Sequence, residues 1–122
     1  AIPIFPIYGQ YEGEQEEELF PYFTVMVTNV IYNNPEAEER NTASIIILFG
    51  IYDEDQGMKG YFTLSSIMQR VITRFMKNQI MDLFYCDKKM AMEFQEDNTS
   101  PQFFGGIEMI WYLPDIETEE TY

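Results

Sequence analysis

The chain has 122 residues and a formal net charge of −14, with 21 acidic and seven basic side chains, no His and one Cys. Seven cations are too few to replace the counterions condensed on a nucleic-acid backbone, and the same charge is repelled by anionic lipid. Missing His removes the commonest general base, the Ser-His-Asp and Cys-His arrangements and most zinc sites.

The length fits one domain over residues 1–122, and an aromatic content of 16% supplies a core despite the acidity. No apolar run approaches the ~20 residues of a membrane span. The opening AIPIFPIYG lacks the charged and long apolar parts of a signal peptide, so the sequence reads as soluble and intracellular. It opens without Met, as a processed or trimmed product would.

Ala1 to Tyr11 sets Pro3 and Pro6 among apolar residues, which favours an extended edge segment over a helix. Glu12 to Glu18 is a carboxylate run whose charges repel, so residues 1–20 read as an extended arm followed by a solvated acidic loop. Tyr22 to Tyr32 alternates Phe23, Val25, Val27 and Ile31 against Thr24, Met26, Thr28 and Val30, which predicts a strand of moderate amphipathicity. Asn33-Asn34-Pro35 breaks it, and the polar connection up to Asn41 is short enough to join antiparallel neighbours.

Thr42 to Lys77 is the organising stretch. Ser44 to Tyr52 is apolar on both faces, Ile45, Ile47, Phe49 and Ile51 against Ile46, Leu48 and Tyr52, as a strand buried on both sides requires. Asp53-Glu54-Asp55-Gln56-Gly57 stops it, because carboxylates resist burial and Gly57 admits a positive backbone angle. From Tyr61 the period lengthens: Tyr61, Leu64, Ile67, Met68, Val71, Ile72 and Phe75 form one stripe, predicting a helix of about 17 residues.

Asn78 is a plausible helix stop. Ile80 to Cys86 and Met90 to Gln95 then read as two strands separated by an Asp87-Lys88-Lys89 turn. Glu96 to Gln102 is a loop. Phe103 to Leu113 is the last strand, with Ile107, Met109, Trp111 and Leu113 on one face and Glu108, Ile110 and Tyr112 on the other. Within it Gly105-Gly106 mark a bulge or the close approach of another backbone. Pro114 ends it, and residues 115–122 read as a mobile acidic tail. The expected fold class is α+β: a mostly antiparallel sheet of about five strands packed on one main helix.

A sheet of four strands at about 4.8 Å spacing is nearly 20 Å across, whereas a helix covers roughly 10 Å of one face. Strands apolar on both sides therefore call for a second cover. The arm IPIFPIY could supply it, or another subunit could, since uncovered patches and strand edges invite association.

Chemical motifs are weak. Asp53, Glu54 and Asp55 could meet a hard cation, but their order lacks the spaced ligands and closing Glu of a calcium loop, and a solvated turn explains them. A glycosidase-like pair would need Glu93, Glu108 or Asp53 to converge in a cleft. Gly57-Met58-Lys59-Gly60 lacks the spacing of a phosphate cradle. Trp111 reads as core, and Cys86 as a small buried side chain without a basic partner to activate it. The expectation is a protein without enzymatic activity, cofactor or metal.

The order PYFTVMV, then TASIIILFGIYDEDQGMKGYFTLSSIMQRVITRF, then a strand pair and SPQFFGGIEMIWYLPDIE resembles the small structural proteins of phage and prophage head-tail genes, particularly the tail terminator (tail completion, head-tail joining) family. The resemblance covers Pro21 to Glu117 and rests most on the apolar strand, D-x-D-x-x-G turn and helix, and on Pro-x-Phe-Phe-Gly. It implies a homo-oligomeric ring, typically a hexamer, that caps the tail tube and contacts the tail tube protein and the head connector. Such a ring would be assembled in the host bacterial cytoplasm and carried in the virion. DNA would pass through it without specific binding, since a lumen of carboxylates repels phosphates. Glu14, Glu16, Glu17, Asp53, Glu54 and Asp55 are lumen or interface candidates, with Phe103 and Phe104 as further interface candidates; solubility explains the same charges. The alternative is a monomeric acidic protein-binding or regulatory domain.

Overall fold

The computed structural model describes residues 21–54, 59–95 and 101–116. The predicted N-terminal arm and acidic loop, Asp55 to Gly57 of the predicted turn, most of the predicted Glu96–Gln102 loop and the end of the acidic tail lie outside them.

Strand β1 (Tyr22–Asn34) passes through a 3-10 turn (Pro35–Ala37) into β2 (Arg40–Tyr52); α1 (Lys59–Lys77), β3 (Ile80–Met81), β4 (Phe84–Phe94) and β5 (Gln102–Tyr112) follow. The five strands form one sheet in the order β1-β2-β5-β4-β3, with every neighbouring pair antiparallel. This is the α+β fold the sequence predicts.

Local chemistry fixes the β1–β2 connection. Asn34 caps the 3-10 turn by accepting from the Glu36 amide, Pro35 enters it, and Glu38 and Glu39 close it in left-handed conformation at φ 56° and 62°. Arg40 donates from Nε to the Ala37 carbonyl at 3.0 Å.

The β2 and β5 residues pair without interruption from Thr42–Tyr112 to Tyr52–Gln102, placing Ile47 beside Ile107 and Ile45 beside Met109 on one face. Helix α1 lies on that face, burying Leu64, Met68 and Ile72, with Tyr61, Ile67, Val71 and Phe75 packed around them. Each fully buried aliphatic contributes roughly 1.5–3 kcal/mol. Trp111 is core as predicted, edge-on to Phe75 at 5.3 Å. Gly105 marks a close approach, not a bulge: a Cβ there would stand 2.9 Å from Met68 Sδ and 3.0 Å from the Glu93 carbonyl.

Three details depart from the expected pattern. The predicted Asp87-Lys88-Lys89 turn is a bulge within one continuous β4, where pairing to β5 jumps from Cys86–Trp111 to Met90–Met109. Asp87 Oδ1 accepts from the Lys89 amide at 2.8 Å, so the polar triplet loops outward while β5 keeps the strand on course. The Ile80–Cys86 segment is instead a hairpin with Asp82 at its tip, φ 57°. In β1 a register shift between Val27 and Asn29 places Val30, not Ile31, on the face of Val25 and Val27.

Candidate interaction surface

The helix reaches β5, β2 and β4 but has no comparable packing on β1. A helix about 10 Å wide cannot span a sheet of five strands. The side chains of β1 on the helix side are therefore open: Phe23 is 67% and Val27 62% exposed, with Val25 similar. The Phe23 ring meets that of Phe49 at 6.5 Å.

Between this wall and the C-terminal end of α1 runs a groove of about 430 Å³. Val25, Val27 and Val30 form one wall and Phe75, Met81 and Phe84 the other, over a floor of β2 and β5 side chains that includes Ile45 and Trp111. No Lys, Arg, Asp or Glu occurs from Tyr22 to Asn34, so the edge lacks the charges that commonly block edge-to-edge association. At the opposite edge the β3–β4 hairpin exposes Ile80, Met81 and Leu83, the last at 72%.

The other face of the sheet is more polar. Thr28, Ser44, Lys89 and Glu108 border a second open groove of about 470 Å³. Toward one end of this face Tyr112 donates its hydroxyl proton to Asp87 Oδ2, and the Arg40 guanidinium lies 4.0 Å from the centroid of the Tyr112 ring. The hydrogen bond from Tyr112 holds the Asp87 carboxyl below its usual range, helped by the Lys89 amide and by the Arg40 and Lys89 charges against a small desolvation cost. The same bond raises the Tyr112 hydroxyl.

The sequence-predicted candidates disperse. Asp53 and Glu54 follow β2; the Asp53 amide donates to the Pro101 carbonyl at 2.9 Å, and Tyr52 donates its hydroxyl to Glu54 Oε1 at 3.2 Å. Asp55, Glu14, Glu16 and Glu17 lie outside the described residues. Phe103 and Phe104 are not surface residues: they are 3% and 0% exposed, because Phe103 packs beneath the start of α1 and Phe104 is fully enclosed. Gly60, at the end of the weak phosphate-cradle motif, accommodates the Phe103 ring.

Glu93 and Glu108 do share a face, paired respectively with Gly106 and Ala91, which makes them diagonal neighbours about 7–8 Å apart at the backbone. Asp53 does not join them: its partner Pro101 is five residues along β5 from Gly106, on the order of 16 Å. Among the described residues no three His, Cys, Asp or Glu side chains gather as a metal site requires, and no helix is long and apolar enough to cross a membrane. Cys86 is buried at the core, as predicted.

No protein-family model matches the chain, and no curated protein matches it. The surface itself therefore carries the functional reading. The residues that matter most in it, Val25, Val27 and Val30, belong in the sequence pattern only to a strand of moderate amphipathicity. Their signal is a 13-residue strand without a charge in a chain of net charge −14.

Proposed function

We propose that this chain is a non-enzymatic structural protein of a phage or prophage, tail-terminator-like, whose copies close into a ring that caps the tail tube and meets the head connector. The observation that supports this reading is β1, the uncharged apolar edge of the sheet among the described residues, beside an apolar groove. Proteins that remain monomeric seldom leave a long apolar strand unguarded at a sheet edge. Its partners would be further copies of itself, the tail tube protein and the head connector, and its place the virion.

The acidic surface fits a ring through which DNA slides, because carboxylates do not hold phosphates. It also makes assembly sensitive to salt. Self-repulsion between copies of net charge −14 is screened as ionic strength rises, so the ring should tighten from low to moderate salt.

Light scattering across a dilution series at two salt concentrations tests this reading. A mass of several chains, near six at moderate salt, is the expected result. A single-chain mass at every concentration and salt would overturn the self-assembling ring and leave the alternative, a monomeric acidic domain that offers the same apolar face to a different protein.

A further inference from the structure

Charge is divided unevenly between the helix and the rest of the chain. Helix α1 holds four of the seven cations, Lys59, Arg70, Arg74 and Lys77, and none of the 21 carboxylates. It carries +4, so the remaining residues of a chain of net charge −14 carry −18.

The helical period brings these cations to one side. Arg70, Arg74 and Lys77 follow one another at four and three residues over roughly 10 Å, and Lys59, eleven residues before Arg70, returns to within about 20° of it. They lie opposite Leu64, Met68 and Ile72, which bury against the sheet, and all four are exposed. Arg74 is held in place: it donates from Nη1 to the Asn78 carbonyl at 2.9 Å, and its guanidinium lies 4.6 Å from the centroid of the Phe75 ring. The side chains of Arg70 and Lys77 bond to no other described residue. The helix dipole accounts for Arg74 and Lys77 in the last turn, but it gives nothing to Arg70 in the middle and disfavours Lys59 at the start, where no acid stands beside it.

We infer that the outer face of α1 docks an acidic polypeptide segment of a partner protein, extended along the helix. This surface is separate from the apolar edge that supports the ring reading, so either can fail alone.

Shape and charge select such a segment over other anions. A nucleic-acid duplex or an anionic lipid surface is a large charged body that meets the −18 remainder as well as the helix, and four cations displace few counterions. A flexible segment lies along the helix alone. At 0.15 M salt the Debye length is about 8 Å, so its carboxylates feel the cations they touch and little of the acidic surface beyond. The spacing fits as well. Alternate residues of an extended chain stand about 6.6 Å apart and successive helical turns about 5.4 Å, so acids at every second position meet Arg70, Arg74 and Lys77 in turn.

The test is fluorescence anisotropy of a dye-labelled peptide of about ten residues, alternating glutamate and serine, titrated with the full chain at low, physiological and high salt. Binding should be tightest near 0.15 M, because repulsion from the whole chain reaches about 30 Å at 0.01 M and the contact itself is screened at about 1 M. Arg70→Gln with Lys77→Gln should weaken it about fivefold at 0.15 M. Lys88→Gln with Lys89→Gln, the same change in net charge on the β4 bulge, should leave it within about twofold. Glutamine keeps the helix propensity, and thermal melts establish that both pairs fold. Equal weakening by the two pairs would reduce the effect to net charge and overturn the docking face. Wild type that does not bind, whether the face is merely solvated or already held by a carboxylate run of this chain, would overturn it too. Binding that strengthens all the way to high salt would mark an apolar contact in its place. A single-stranded oligonucleotide bound as tightly through the same residues would overturn the choice of partner.

Discussion

The ring of Phe103 occupies the space that a side chain at residue 60 would need: a Cβ built on Gly60 would stand 2.2 Å from the Cε2 atom of that ring. Tyr61 meets the same ring edge-on at 4.9 Å and donates its hydroxyl to the Gln95 carbonyl at 3.2 Å. The first turn of α1, the start of β5 and the end of β4 are joined at this point, so Phe103 is a fastener of the fold and not a surface for partners.

Gly60→Ala is expected to destabilise. Alanine in a helix ordinarily gains up to about 1 kcal/mol over glycine. Here the added methyl forces a buried ring to move, which costs typically 1–3 kcal/mol. A net loss of about 1–2 kcal/mol should appear as a lower urea midpoint with an unchanged slope, and a stabilised variant would contradict the packing described.

Asn41, at the start of β2, ties the end of β1 to the chain leaving β5 at one end of the sheet. Its Oδ1 accepts from the amide of Asn33, which sits at φ 52°, and its Nδ2 donates to the Pro114 carbonyl at 3.4 Å. Asn41→Ala strands a partly buried amide, at a cost of about 1–3 kcal/mol. Asn41→Asp keeps the acceptor for Asn33 and should recover part of the loss; equal urea midpoints for the two variants would argue against this account.

Tyr112→Phe removes the strongest influence on Asp87. The Asp87 carboxyl is lowered on folding, so its stabilising contribution is complete above the ordinary carboxylate pKa of about 3.9 and is lost as pH falls through the folded value. Tyr112 shifts the other way, and its contribution is lost as pH rises past about 10. Between those limits the variant should be less stable by about 1 kcal/mol, solvent screening keeping the effect small. The gap should narrow below pH ~4. Thermal melts at pH 7 and pH 3 check it, and a gap that widens in acid would reverse the assigned sign.

Burial, and secondarily the Asp87 carboxylate, push the Cys86 thiol up to about 11. At pH 8 the thiolate population is then roughly a hundredfold below that of an ordinary cysteine. A thiol reagent should label the native protein at least that much more slowly than the chain in denaturant. Equal rates would mean that the site opens to solvent readily.

The sequence by itself determined the fold class, the helix and the long strands β1, β2 and β5. Alternation on both faces of Ser44 to Tyr52 specifies a strand covered on two sides, and the stripe from Tyr61 to Phe75 specifies which side of the helix packs. What periodicity cannot report is which cover reaches which face. Phe23, Val25 and Val27 alternate as core residues do, yet the helix is too narrow to reach β1, and they are left open. Phe103 follows a polar loop as an exposed aromatic could, yet Gly60 brings the helix start down onto it. Asp87-Lys88-Lys89 has the composition of a turn, but pairing with β5 resumes beyond it and makes it a bulge. In each case the deciding contact joins residues far apart in the chain, so local pattern names the element while the tertiary structure alone decides whether its surface is core or interface.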